Sequence, residues 1–290
     1  MIKKVIKKVY RWCMERLSVC SPVYATKLLY FIHFHKWLDL NNPRTLNEKI
    51  LWLKLNMYNN NPLVTKCADK YKVREYVIEK GCPEILNELY GVWNHAEEIK
   101  WATLPDSFAM KCNHGCGYNI ICSDKQTLNE EKVKKQLNKW MAEDFWKRNA
   151  EVNYRQIDKK IICEKYIQGA HNERLNDYKV YCFHGKALFI LFCIDKDRKF
   201  YFFDREWNFL RINPDGMVAP ESFHVEKPVC IDMLLEYTER LSEPFPFVRV
   251  DFYVEQDKII LGEMTFTPAA GLDTARLKET DVFFGELLKL

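Results

Sequence analysis

The stretch that decides the fold is Phe247-Val248-Arg249-Val250-Asp251-Phe252-Tyr253, followed shortly by Ile259-Ile260-Leu261-Gly262-Glu263-Met264-Thr265. Apolar and polar residues alternate in both, the period of strands covered on one face. The residues between them read as a turn. A loop with an odd count, for instance Gln256-Asp257-Lys258, pairs residue 255 with 259 and sets Asp251 opposite Glu263. Cross-strand neighbours lie about 5 Å apart, which suits two carboxylates bridging a hard cation such as Mg²⁺. Arg249 and Thr265 then share that face. A two-residue loop puts the carboxylates on opposite faces and removes the metal reading. The plainer alternative is the charged outer face of an ordinary hairpin.

Upstream lies Met110-Lys111-Cys112-Asn113-His114-Gly115-Cys116-Gly117-Tyr118-Asn119. Two of the ten glycines fall here, between strand-like runs ending at Lys111 and beginning at Asn119. Such a loop exposes backbone N–H groups that can wrap phosphate oxygens, and the strand lysine adds fixed positive charge. It is not a Walker A loop, because no Gly-Lys-Ser/Thr and no helix follow. Cys112, His114 and Cys116 lack a second ligand pair, so structural zinc is not expected. Cys163-Glu164-Lys165-Tyr166-Ile167-Gln168-Gly169 and Asn176-Asp177-Tyr178-Lys179-Val180 read locally as strand, turn, strand.

Around these pieces, Thr45-Leu46-Asn47-Glu48 has capping-box form and opens a helix to about Met57, and Asn61-Pro62 starts another that runs to Lys80. Further helices are expected over Lys27–Leu38, Glu130–Asp144 and Val229–Leu241, among alternating strand-like runs. The expected class is α+β. Glycine and proline are sparse, 10 and 11 of 290, which excludes collagen-like and disordered chains. Residues 1–17 carry a net +5, leaving −1 for the other 273, so no basic stripe for nucleic acid is expected on the body. Ile2, Val5, Ile6, Val9, Cys13 and Leu17 recur at helical spacing opposite lysines. This predicts a basic amphipathic helix that either covers the domain or makes peripheral contact with a membrane through residues 1–17. The odd count of eleven cysteines, no secretory-type leader, and a longest apolar run of eight residues fit a cytoplasmic protein with reduced thiols.

Taken in order, a lysine on a helix, a strand lysine before a glycine loop, a Glu-bearing strand, a basic strand and an acidic hairpin resemble the ATP-grasp superfamily. From about Arg44 onward the chain is similar to the TupA-like ATP-grasp family of bacterial surface-polysaccharide clusters. The matching stretches include Asn47–Leu55, Asp69–Val77, Leu104–Cys122, Leu175–Lys186, Phe245–Tyr253 and Leu261–Gly271. The resemblance implies an ATP-grasp fold, two α+β lobes with antiparallel sheets enclosing ATP. A helical extension over residues 1–60 would precede lobes at about 61–165 and 166–290.

By the same resemblance, Lys70 and Lys111 bind the ATP phosphates under a loop containing His114, Gly115 and Gly117. Glu164, Lys165, Tyr166 and Ile167 meet the adenine, and Asp177 lies near the ribose. Lys179 and Arg249 neutralise the transferred phosphoryl group and the acyl phosphate. Asp251 and Glu263 ligate Mg²⁺, with Thr265 standing where many ATP-grasp ligases have Asn. Cys116 and Tyr118 replace the Ser and Gly common in the family. The implied activity is an ADP-forming carboxylate–amine ligase, joining a small-molecule or saccharide carboxylate to an amine in capsule or O-antigen biosynthesis. A glycosyltransferase, a sugar kinase and a non-enzymatic nucleotide-binding scaffold are the alternatives.

Overall fold

The computed structural model describes residues 2–167, 176–194 and 199–290. Five helices come first: α1 (Ile2–Cys20), α2 (Pro22–Phe34), α3 (Leu46–Leu55), α4 (Pro62–Ala68) and α5 (Val73–Glu79). Strands β1 (Leu89–Trp93), β2 (Phe108–Cys112) and β3 (Asn119–Cys122), helix α6 (Glu130–Met141) and strand β4 (Ile161–Lys165) follow. Then come β5 (Asp177–Phe183), β6 (Lys186–Ile194), β7 (Lys199–Asp204), β8 (Phe209–Leu210), α7 (Pro214–Val218) and α8 (Ile231–Ser242). The hairpin β9 (Phe247–Glu255) and β10 (Lys258–Thr265) precedes α9 (Lys278–Leu287). The class is α+β, as expected.

The strands form two antiparallel sheets, ordered β1-β4-β2-β3 and β10-β9-β5-β6-β7-β8. Alternation sorts the second sheet. Val180, Cys182, Val248, Val250 and Phe252 are buried on the face that α8 covers. Asp177, Lys179, Arg249 and Asp251 are the alternate residues and point the other way. Helix α3 has the expected capping box, with Thr45 accepting from Glu48 N–H, and sends Leu46, Ile50 and Leu53 into the main core. The α1–α2 hairpin builds a smaller cluster around Met14, Ala25, Leu29 and Tyr30. Helix α2 begins at the Ser21 cap with Pro22 and stops at left-handed His35, several residues earlier at both ends than the expected Lys27–Leu38.

Two expectations need correction. The helix expected over residues 61–80 breaks into α4 and α5, because Asp69 turns extended (ψ 114°) and its carboxylate accepts from the backbone N–H groups of Tyr71 and Lys72. A carboxylate that satisfies its own neighbours' amides competes with the helix ladder. Lys70 therefore sits in a turn, not on a helix.

The hairpin loop is also shorter than the odd-numbered loop proposed for it. Glu255 pairs with Lys258, so only Gln256 and Asp257 turn the chain, both with positive φ. With that two-residue loop alone, Glu263 would face away from Asp251. The ladder slips by one residue at Gly262, and beyond this bulge Glu263 pairs with Asp251 and Thr265 with Arg249. The expected pairing holds for a different reason.

Candidate active site

The centre of the site is the middle of β9. Arg249 grips Asp251 with two hydrogen bonds, Nε to Oδ1 at 2.7 Å and Nη2 to Oδ2 at 2.6 Å. Lys179, paired across the ladder with Asp251, donates to its Oδ2 at 3.2 Å and also to Asp177. On the other side, Arg249 Nη2 reaches Thr265 Oγ1 at 3.4 Å, and that hydroxyl donates to Glu263 Oε1 at 3.2 Å. Glu263 Oε2 then meets Lys70 Nζ at 3.0 Å, and Lys70 donates to the Gly115 carbonyl at 3.0 Å. The result is one connected row from the glycine loop to Asp177. Three cations alternate with three carboxylates.

Burial opposes charge along this row, and at Lys70, Glu263, Lys179 and Arg249 the partners overcome it. Lys70 cancels the cost at Glu263, whose carboxyl is held at about 2 with help from Arg249. Burial works against the charge of Lys179, yet Asp251 and Asp177 push its pKa up. Arg249 behaves alike against Asp251. At Asp177 burial dominates and raises the carboxyl above its ordinary range, with Lys179 pulling the other way. A buried row of this kind is costly if one partner is removed.

The glycine loop closes the row from the first sheet. Lys111 pairs with Asn119 where β2 meets β3. Asn113 is wholly buried and anchors the loop, donating to Asp69 and to the Asp158 carbonyl and accepting from Lys160 N–H. Gly115 lies so close to the Phe145 ring that a Cβ would stand 2.7 Å from it, and Gly117 has φ +75°. The His114 side chain is turned into the protein. Its ring is buried against Tyr118 and within 3.2 Å of the Trp140 carbonyl, and burial lowers its pKa to about 4. Tyr118 packs beneath the loop on Trp140 and Phe145, its hydroxyl donating to Glu143. Cys116 is exposed at the tip.

A second cluster stands beside the first. Glu164 on β4 receives Lys111 at 2.8 Å and Arg74 at 3.5 Å. Strand β4 ends at Lys165, whose N–H donates to the Glu88 carbonyl and whose carbonyl accepts from Asn87. Tyr166 and Ile167 are half-buried where the chain leaves the first sheet for Asp177 in the second. Gly169, read as a turn, lies outside the described residues.

A cavity of about 350 Å³ opens beside Lys179 and Arg249, with Tyr181, Phe202, Ala269 and Arg276 among its walls. Its wall at Ala269 begins a run of unusual backbone, in which Ala269, Ala270 and Gly271 all have positive φ (49°, 59° and 74°). Left-handed alanines persist only where packing holds them, and such strain gathers at functional sites. Sequence reading missed Arg276, whose guanidinium bridges Asp273 and Asp281 at 3.1 and 3.0 Å. It also missed Arg74, the buried Asn47 that ties Asp273 and Asp281 to α3, and Glu151, which accepts from Thr267 at 2.8 Å. Except for Arg276, whose acids are three and five residues away, these partners are 90 or more residues apart in the chain, and no local pattern announces them.

Among the described residues no group of three or more His, Cys, Asp or Glu side chains could hold a metal by itself. Asp251 and Glu263 nonetheless fit Mg²⁺, which takes one or two carboxylates and completes its shell with phosphate oxygens and water. The donor set is hard oxygen throughout.

Two antiparallel sheets, with a lysine-bearing glycine loop on one and an acidic hairpin on the other, define an ATP-grasp fold. Residues 48–289 match the TupA-like ATP-grasp family, and the chain belongs to it. Solved structures are similar more loosely. A D-alanine–D-alanine ligase from Bacillus anthracis complexed with ATP aligns at 13% identity and TM-score 0.43 over 76% of this chain and 60% of that one. An L-amino acid ligase from Bacillus licheniformis aligns at 13% identity and TM-score 0.45 over 90% and 57%. This chain thus spans about three fifths of the length of such ligases. No curated protein matches it.

Proposed function

We propose that the protein is an ATP-dependent, ADP-forming carboxylate–amine ligase with two lobes, about residues 61–165 and 166–290, closing on ATP. The observation that carries this is the buried row Lys70–Glu263–Thr265–Arg249–Asp251–Lys179–Asp177, which presents three cations and two hairpin carboxylates to one space. Acyl phosphate formation needs that set. A carboxylate oxygen attacks the γ-phosphorus, the bond to the β-phosphate oxygen breaks, and ADP leaves. An amine then attacks the acyl carbon, phosphate departs, and the amine loses a proton.

The chain supplies charge and position and no nucleophile. Lys70 and Lys111 hold phosphates, while Lys179 and Arg249 neutralise the transferred group and the acyl phosphate. Asp251 and Glu263 hold Mg²⁺, which draws charge from the phosphate oxygens when bound. The neighbouring cavity takes the carboxylate substrate, its cations facing the acid and its aromatic rings the body of the molecule. A uronic acid or amino-acid carboxyl destined for a surface polysaccharide fits the resemblance. ATP supply and an odd count of eleven cysteines, eight of them buried, favour a cytoplasmic setting.

The test is ADP release from Mg-ATP with panels of uronic acids, amino acids and amino sugars. ADP that requires both an acid and an amine supports the ligase, and ADP with a hydroxyl acceptor alone indicates a kinase. Turnover of a UDP-sugar without ATP, or full ADP formation by Lys111→Ala, overturns the reading.

A further inference from the structure

Helix α1 is built the wrong way round for a helix that merely covers a domain. Its buried side chains are Met14 and Ser18. Val5, Ile6, Val9, Trp12 and Val19 fall within an arc of about 140° on the opposite side, at 100° per residue. All are exposed, Ile6 by 61% and Trp12 by 58%. The amphipathic helix thus turns its apolar arc to solvent. Lys8 borders that arc at one edge and Arg16 lies within it, its guanidinium 5.6 Å from the Trp12 ring. Arg11 anchors the helix to the body through Glu143 at 3.1 Å. Lys7 and Lys8 make no ion pair among the described residues, and the sequence adds Lys3 and Lys4.

We propose that α1 is a membrane-surface anchor that lies in the headgroup plane of an anionic lipid bilayer. An exposed apolar arc with a bulky indole, bordered by lysine and arginine, is the pattern of interfacial helices, which bind by buried apolar area plus attraction to anionic headgroups. Charge complementarity selects the occupant. The first 17 residues carry +5 and the rest of the chain −1, so the attraction is confined to this helix. No helix among the described residues is long and apolar enough to cross the membrane, so the contact is peripheral. A protein acting on a lipid-carried saccharide would gain from this placement, though the anchor does not depend on the ligase reading.

The experiment is co-sedimentation of the full chain with phosphatidylglycerol/phosphatidylcholine vesicles and with phosphatidylcholine alone, alongside light scattering without lipid. We expect binding to the anionic vesicles only, falling with salt. It should be lost in Val9→Glu/Trp12→Glu, whose thermal midpoint stays unchanged because neither side chain is packed. Lys7→Gln/Lys8→Gln/Arg16→Gln should bind about 5-fold more weakly per charge, on the order of 100-fold in all. No sedimentation, equal sedimentation with neutral vesicles, or retention by Val9→Glu/Trp12→Glu overturns the proposal. A dimer in light scattering that Val9→Glu/Trp12→Glu dissolves, without lipid binding, assigns the face to a second copy instead.

Discussion

Replacing Glu263 with glutamine should tighten nucleotide binding when no metal is present. The structure shows why: Lys70, the cation assigned to a phosphate, already holds Glu263 at 3.0 Å, and a phosphate must displace that carboxylate. The size of the obstacle follows from the carboxyl's pKa of about 2 against an ordinary 4.5, with Lys70 its main cause. That difference corresponds to about 3 kcal/mol. The Glu263 side chain is 30% exposed, so solvent screens part of it, and ~1–2 kcal/mol is a sound figure for the barrier to release. Calorimetric titration of ADP in the presence of EDTA should give a dissociation constant roughly 5–30-fold lower for Glu263→Gln than for the parent. With Mg²⁺ the order should reverse, since a metal carboxylate is gone. In Lys70→Met the metal-free gain from Glu263→Gln should vanish, because the two residues are then uncoupled. Metal-free ADP affinity that is unchanged or weaker in Glu263→Gln refutes the assignment of Lys70 to phosphate.

Three further outcomes follow from single contacts. Asp251→Ala strands Arg249 as a buried cation and leaves Lys179 with Asp177 alone, and should cost about 3–5 kcal/mol in urea unfolding, with Asp251→Asn milder. Gly262→Val places a branched side chain where a Cβ already stands 3.1 Å from the Asp251 carbonyl oxygen, so it should disfavour the bulge and abolish ADP formation more than it lowers the thermal midpoint. His114 is neutral in the folded chain to about pH 4 but protonated in the unfolded chain below 6.5, so unfolding takes up a proton between those values. Its contribution is therefore complete above pH 6.5 and lost as pH falls, by about 3 kcal/mol at pH 4; His114→Gln should flatten that slope in unfolding measured across pH.

What could be read from the sequence was whatever a short window contains. The alternation of β9 and β10, the capping box at Thr45, the glycine loop and the order of these pieces all lie within a few residues of themselves. The break between α4 and α5 escaped because Asp69 satisfies two backbone amides and an Asn113 side chain that lies 44 residues away. The inward turn of His114 escaped for a related reason: Trp140, whose carbonyl its ring approaches, lies 26 residues away. The hairpin is the sharpest case. Its carboxylate pairing was predicted from an odd loop, yet a tight turn and a bulge at Gly262 produce the same pairing. Two compensating one-residue shifts leave the polarity pattern of the strands as it was.

The row of alternating charges also bears on how the two sheets work together. In the ligand-free chain its three cations and three carboxylates cancel, which lets the row stay buried without a counter-ion. On the proposed function ATP would bring several negative charges to this space, so the cations would change partners and the carboxylates would need another counter-charge. Mg²⁺ meets that need, and so metal and nucleotide should each raise the other's affinity by the same factor. Lys70 comes from the turn before α5 and Glu263 from β10, so their contact links the glycine-loop side of the molecule to the second sheet. A phosphate that takes Lys70 breaks that link and substitutes its own. The relative placement of the sheets is then set by the nucleotide itself, so ligand-free Glu263→Gln should report how much the lysine–carboxylate contact alone contributes to closure.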